Sequence, residues 1–262
     1  MEFSIYQVDA FSDETFGGNP AAIVPLDEWI SDELMQKIAM ENNLSETAFF
    51  VPTDKGYHLR WFTPSTEVPL CGHATLASAH VLYSELGYDK EEITFETLSG
   101  ELKVVKKDDG YVLNFPAYQS KEIDIPEGLI DALGFTPSKF LNDANSIFAL
   151  VVVDDEETVC NADPDHASLM TIEPGNFIVT STAKNYDFIS RVFVPEHGVP
   201  EDPVTGSAHC VSAPYWVKQL GKSELNARQV SARGGDVFCT LKGDRLDMFG
   251  KAKLYLKGTI YI

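Results

Sequence analysis

With 262 residues, the sequence is long enough for one or two domains with a substantial core, and its 44% hydrophobic residues are typical of a globular protein. The net charge of −20 argues against nucleic acids as partners and against binding to an anionic membrane surface. No apolar run reaches the roughly 20 residues of a transmembrane helix, and the opening residues lack the basic segment of a secretion signal. We therefore expect a cytoplasmic protein with reduced cysteines.

Three elements are predicted in the first half of the chain. Ser31 is a good N-cap, which predicts a helix over Asp32–Glu41. A strand over His58–Phe62 ends near a proline. After a polar loop, a second helix begins at Gly72 and stops at Leu86 and Gly87, where the glycine suits a left-handed C-cap.

The second half starts with a polar, strand-poor crossover over Gln119–Pro126, followed by a helix over Leu129–Leu133. A strand over Ile189–Phe193 again ends near a proline, and a helix begins at Gly206 and stops at a Leu-Gly pair. The last run, Lys253–Ile262, is strongly strand-like, and we expect it to pair with the first half.

The two long helices belong to repeated segments. GHATLASAHVLYSELG begins at Gly72 and GSAHCVSAPYWVKQLG begins at Gly206, an offset of 206 − 72 = 134. Neither helix carries an acidic or basic residue before Glu85 or Lys218, except histidine, which is typical of a buried helix. The pattern predicts an α+β protein of two pseudo-symmetric domains, each a curled, mostly antiparallel sheet around a central helix. We assign residues 1–118, joined by the strand 253–262, to the first domain and 119–252 to the second, with the active site in the cleft between them.

Both helix starts carry polar residues. His73 follows Gly72, and Ser207 follows Gly206, so each helix would present its first backbone N–H groups beside a polar side chain. Such N-termini bind anions, carboxylates in particular. A structural role for each motif is the alternative, with Thr205 and Ser207 acting only as caps.

Two other segments carry candidate residues. Glu46, in Asn-Leu-Ser-Glu-Thr, stands at the mouth of an apolar strand, where a carboxyl group that reaches a polar cleft is suited to proton transfer. The segment FGGNPAA contains Asn19 and has the composition of a turn, without the pattern of a phosphate-binding loop.

Together the motifs FGGNPAAIV, NLSETAFF, LCGHATLASA and EDPVTGSAH resemble the phenazine-biosynthesis-type (PhzF-like) isomerases of the diaminopimelate-epimerase-like superfamily, in family order over nearly the whole chain. The resemblance implies a homodimer that needs no cofactor and no metal and that isomerises a small, in some members cyclic, carboxylic acid by acid/base catalysis. It also implies a role for each candidate residue. Glu46 would be the general acid/base, with Asp202 and His73 orienting the substrate and managing protons; the substrate-binding residues would be Gly72, Ser207, Gly206, Thr205, Asn19 and Ala74.

Two alternatives remain open from the sequence. Racemases of the same superfamily use one cysteine in each half, and Cys71 matches the first of these positions, whereas the matching stretch around Thr205 has no cysteine. A Cys71-assisted racemase or epimerase of an amino or hydroxy acid is therefore one alternative. The other is a non-catalytic protein that binds metabolites on the same scaffold.

Overall fold

The computed structural model describes residues 1–197 and 199–262, and strands dominate it, which confirms the predicted α+β class. The chain divides into two compact units, residues 1–114 with 249–262 and residues 115–248. Among the described residues, no helix has the length and apolar character that crossing a membrane requires.

The elements up to residue 116 are eight strands and two helices: β1 (Glu2–Ala10), β2 (Asn19–Pro25), α1 (Asp32–Asn42), β3 (Glu46–Pro52), β4 (Tyr57–Phe62), β5 (Glu67–Val68), α2 (Gly72–Ser84), β6 (Glu92–Thr97), β7 (Gly100–Lys107) and β8 (Gly110–Pro116). The remaining elements include a single-turn 3-10 helix at Pro195–His197: β9 (Lys121–Glu122), α3 (Leu129–Leu133), β10 (Lys139–Asn142), β11 (Ala149–Val152), α4 (Glu156–Cys160), α5 (His166–Leu169), β12 (Phe177–Ser181), β13 (Phe188–Val194), β14 (Val199–Asp202), α6 (Gly206–Leu220), β15 (Glu224–Gln229), β16 (Gly235–Lys242), β17 (Arg245–Gly250) and β18 (Ala252–Tyr261).

In the first unit, mostly antiparallel strands surround α2. The last strand, β18, pairs antiparallel with β1, as predicted, while β2 and β3 are parallel neighbours. The helix contacts β1, β2, β3 and β18. Its three alanines and Ser78 are buried and let the strands approach closely, and Leu76 and Val81 are fully inaccessible. The predicted buried helix is confirmed.

The second unit repeats this plan around α6, which contacts β12, β15 and β16. Proline stands inside this helix at position 214, where it lacks the N–H that would bond to the carbonyl of Cys210. The backbone N–H of Tyr118 donates to that carbonyl instead, at 2.9 Å. The missing helix bond is thereby replaced from a neighbouring segment of the same unit.

Two ion pairs at equivalent positions mark the duplication. Arg60 on β4 makes a bidentate pair with Glu67 on β5, and Arg191 on β13 makes one with Glu201 on β14, with all four N···O distances at 2.7 Å. Each guanidinium also lies over a phenylalanine ring two residues further along its own strand. The two halves therefore share side-chain contacts as well as strand order, although sequence reasoning overlooked these pairs.

Several local predictions are confirmed and two need correction. Ser31 caps α1 through its side chain, and α3 covers the predicted residues. Helix α2, however, ends at Ser84 with Glu85 as its C-cap, and Gly87 takes the left-handed conformation (φ 72°) only two residues later. The N–H groups of residues 85 and 86 both bond to the carbonyl of Val81, so the helix closes before its glycine. The crossover over 119–126 contains a short strand, β9, that pairs with β10.

Candidate functional site

In the first unit, three chain segments bring their N-terminal ends together. Asn19 is the first residue of β2, Glu46 is the first residue of β3, and His73 is in the first turn of α2. Because β2 and β3 are parallel, with Ala21 opposite Glu46, their starts lie at one edge of the sheet. Three of the predicted site residues therefore meet at that edge.

Asn19 is held by the turn before it. Gly18 has φ 61°, and a Cβ at this position would lie 2.1 Å from the carbonyl oxygen of Ala10, so this close turn requires glycine. Asn19 itself is fully buried. Its Oδ1 accepts a hydrogen bond from Ser45 at 3.1 Å, and its Nδ2 lies 3.2 Å from Nδ1 of His73.

The other ring nitrogen of His73 faces the carboxyl group of Glu46. Nε2 lies 2.9 Å from Oε2, which is within ion-pair range. The ring N–H is not aligned with this oxygen, and Oε2 has no hydrogen-bond partner among the described residues. His73 is almost inaccessible, and the Glu46 side chain is 17% exposed. The carboxylate therefore has an imidazole on one side and retains limited access from outside.

The pKa of His73 reflects opposing influences. Burial, the largest of them, lowers it, whereas interactions with the Cys71 and Glu46 side chains raise it, and the pKa stands well above its ordinary value of 6.5. Burial also raises the pKa of the Cys71 thiol to about 11, so Cys71 is neutral at physiological pH.

The start of α2 lies beside this pair. Cys71 is the N-cap residue, and in the described structure its side chain makes no capping hydrogen bond. Its carbonyl accepts from the Thr75 hydroxyl at 2.6 Å. Gly72 is half-buried, whereas the Ala74 side chain is fully buried in the core. Only the backbone of Ala74 is therefore available for the predicted binding role, and the first amides of α2 give this edge a positive potential.

Glu46, Cys71 and His73 also form the one group of potential metal ligands found among the described residues, with one donor atom from each within 4.8 Å of the others. Glu46 lies far from Cys71 and His73 in the sequence, so the spacing of potential ligands along the chain did not indicate this group. Zn²⁺ binds oxygen, sulfur and nitrogen ligand atoms. Both ring nitrogens of His73 already face polar groups, Asn19 and Glu46, which favours proton handling.

The second unit carries the other predicted residues on one turn, the 202–205 turn, which leads from β14 into α6. Asp202 ends β14, Thr205 is the N-cap of α6, and Gly206 and Ser207 are its first two residues. The Thr205 hydroxyl does not cap the helix; it donates a short hydrogen bond to Oδ2 of Asp202. The capping interpretation of Thr205 is therefore wrong. The prediction that both units serve one active site stays a prediction.

Sequence reasoning overlooked Gln229, which holds this turn. The residue is fully buried at the end of β15 and bonds to both Asp202 and Thr205. A signal for it was present in the sequence. Strand periodicity places Gln229 on the same buried face as Leu225 and Ala227, and a lone amide on an apolar face needs partners.

Comparison with known proteins finds matches over the whole chain. A family described as "Phenazine biosynthesis-like protein" matches residues 8–259. An uncharacterized isomerase of Pseudomonas aeruginosa is 49% identical over 262 residues, which are 100% of both chains. The crystal structure of a phenazine biosynthesis protein of the PhzF family from Enterococcus faecalis has a TM-score of 0.96 at 44% identity and covers 100% of both chains.

A more distant structure shares the fold alone. The crystal structure of a hydroxyproline epimerase from Agrobacterium vitis, with bound trans-4-hydroxy-L-proline, has a TM-score of 0.64 at 12% identity. It covers 99% of this chain and 92% of that chain. This similarity agrees with the predicted diaminopimelate-epimerase-like architecture.

Proposed function

Since the chain belongs to the PhzF, or phenazine biosynthesis-like, family and is an isomerase, we propose that it moves a proton along the carbon framework of a small carboxylic acid. Glu46 acts as the general acid/base. One carboxyl group removes a proton from one carbon of the substrate and returns it to another on the same face. The reaction conserves all atoms, so it needs no oxidant and no group donor.

The observation that carries the proposal is the Glu46–His73 pair at the start of α2. The Glu46 carboxylate is mostly buried, lies 2.9 Å from the imidazole and keeps one buried oxygen without a hydrogen bond. That oxygen, Oε2, faces the ring and is inaccessible, so we assign proton transfer with the substrate to the other oxygen of the carboxyl group. The imidazole, held by Asn19, supplies a positive charge that compensates the ionised Glu46 carboxylate. When Glu46 takes up the proton, the electrostatic attraction between the two groups is lost.

The helix start supports the same chemistry. Removal of a proton next to a carboxylate, or along a diene, builds enolate-like negative charge in the transition state. Backbone N–H groups at the first turn of α2 are fixed donors that stabilise such charge without reorganising. We assign the same role to the first amides of α6, with Asp202 and Ser207 as substrate-binding groups. Gly72, Gly206 and Thr205 provide backbone and hydroxyl contacts.

The racemase alternative receives no support from Cys71. Burial raises the pKa of this thiol to about 11, whereas a two-thiol racemase needs a thiolate. The residue at the equivalent N-cap position of α6 is Thr205, whose hydroxyl is bonded to Asp202. The binding-protein alternative gives no reason for a buried carboxylate beside an imidazole. We therefore favour a single-carboxylate isomerase.

Incubation with a panel of small cyclic and acyclic carboxylic acids in deuterated water tests the proposal. An acid that is isomerised through Glu46 should gain deuterium, detected by mass spectrometry and located by NMR. Glu46→Gln should lower this exchange by about 10²- to 10⁴-fold while the affinity for the acid stays within a few fold. Glu41→Gln, an exposed carboxylate on α1, is the matched control and should be without effect.

Two results would count against the proposal. Full exchange activity in Glu46→Gln would remove Glu46 from the reaction. Tight binding of an acid with neither deuterium gain nor an isomeric product in the NMR spectrum would favour a metabolite-binding protein, because a proton returned before it exchanges with solvent leaves no label.

A further inference from the structure

The side chain of Gln229 forms hydrogen bonds to both ends of the 202–205 turn. Its Oε1 accepts from the backbone N–H of Thr205 at 2.9 Å, and its Nε2 donates to the backbone carbonyl of Asp202 at 2.5 Å. The side chain is fully inaccessible. A buried amide costs free energy unless its donors and acceptor are satisfied, so these bonds fix Gln229 and the turn together.

The same amide also orients the Thr205 hydroxyl. Nε2 of Gln229 lies 3.3 Å from Oγ1 of Thr205 and donates to it, so a lone pair of that oxygen is used. The hydroxyl has one hydrogen, which it donates to Oδ2 of Asp202. A chain of hydrogen bonds thus runs from the amide through the hydroxyl to Oδ2 of Asp202, so Gln229 contributes to the placement of that carboxylate.

The first unit shows that the scaffold does not require this amide. Phe95 lies opposite Tyr57 in the parallel pair β4–β6, and Ala227 lies opposite Phe188 in the equivalent pair β13–β15. Two residues further along each strand come Thr97 in the first unit and Gln229 in the second. The hydroxyl of Thr97 donates to Gly100 and serves only its own hairpin turn.

From this geometry we infer that Gln229 is a positioning residue of the isomerase. It holds the Asp202 carboxylate and the first amides of α6 in the arrangement that receives the substrate. The inference rests on the proposed function for the role of Asp202, whereas the hold on the turn is a property of the second unit by itself.

Hydrogen–deuterium exchange of the free protein tests the hold on the turn. Gln229→Leu should raise amide exchange in the peptide covering residues 202–206 at least tenfold, because the Thr205 N–H loses its acceptor. Gln36→Leu is the matched control: this glutamine on α1 donates to the carbonyl of Thr63 in the first unit. It should leave residues 202–206 unchanged. Unchanged protection of that peptide in Gln229→Leu would overturn the inference.

A double-mutant cycle on the acid identified by deuterium gain tests the catalytic consequence. Gln229→Leu should lower kcat/KM by roughly tenfold to a hundredfold. If Gln229 acts through Asp202, the variant that also carries Asp202→Asn should lose no more than about twofold beyond Asp202→Asn alone. The inference would be overturned if the kcat/KM losses of the two single variants multiplied in the double variant. It would also be overturned if Gln229→Leu kept full activity although its amide exchange over residues 202–206 had risen.

A second variant tests the same inference if Gln229→Leu does not fold. Gln229→Met keeps the length and approximate volume of the side chain and removes its donors and its acceptor without burying a charge, so it should give the same pattern. If the wild-type protein neither labels nor isomerises any acid of the panel, the proposed function fails, while hydrogen exchange still decides whether Gln229 holds the turn.

Discussion

The two duplicated ion pairs should differ in strength, because their surroundings differ. Glu201→Gln removes the carboxylate from Arg191, whose side chain is 16% exposed and whose Nη1 otherwise bonds to the carbonyls of Cys160 and Ala162. Glu67→Gln removes the equivalent carboxylate from Arg60. That guanidinium keeps an ion pair with Asp32 at 2.8 Å.

The expected losses differ because of the remaining partners, since the Arg60 and Arg191 side chains are about equally buried, 15% and 16% exposed. A hydrogen bond to a charged group contributes about 1.5–3 kcal/mol, and an amide can accept only one of the two guanidinium bonds. The Arg191 charge then lies largely buried against two carbonyls, so we expect a loss of about 2–3 kcal/mol for Glu201→Gln. For Glu67→Gln the residual partner Asp32, itself 77% exposed, reduces the loss to about 1–2 kcal/mol.

Urea unfolding followed by far-UV circular dichroism measures both losses. The matched control is Glu33→Gln, which breaks an exposed i,i+4 pair with Lys37 and should leave the unfolding free energy close to the wild-type value. The reasoning is refuted if Glu67→Gln destabilises the protein as much as Glu201→Gln, or if both stay within the range of the control.

Three further changes test the first unit. His73→Gln should flatten the decline of thermal stability above pH 6.5. Because the pKa of His73 is raised in the folded state, the folded protein keeps a proton that the unfolded protein releases above pH 6.5. The stabilisation by His73 is therefore complete below pH 6.5 and is lost as the pH rises through the pKa of the folded state. Equal slopes in scanning calorimetry across pH would contradict the Glu46–His73 pairing. Cys71→Ser should retain deuterium exchange within a few fold, since the thiol is neutral; a hundredfold loss would restore the racemase alternative. Gly18→Ala should lower the unfolding free energy by about 1–3 kcal/mol, because its φ is 61° and the new Cβ meets Ala10, and unaltered thermal denaturation would disprove this constraint.

The strongest predictions from sequence were those with local causes. Ser31 caps α1 by bonding to an N–H three residues away, and α3 is closed by the glycine at 134. The absence of charge along α2 predicted its burial, because a helix without a charged face has no side to present to water. Motif order was specific enough to indicate the family.

Contacts between separated segments required the fold. Glu46 and His73 are 27 positions apart, and only the parallel pairing of β2 with β3 and the placement of α2 bring them to 2.9 Å. Gln229 lies 24 positions from Thr205, and its partners depend on where β15 ends relative to α6. No local pattern encodes such distances.

The sequence by itself determined the α+β class, the duplicated unit, the family and the identity of the candidate residues, since these follow from periodicity, repetition and motif spacing. The tertiary structure decided which atoms meet. It gave Thr205 a bond to Asp202 in place of a cap, buried the Cys71 thiol, and placed the Gln229 amide against Asp202 and Thr205. The physical reason is that burial and hydrogen-bond geometry depend on every segment packed around a residue, whereas propensity and spacing depend only on its neighbours in the chain.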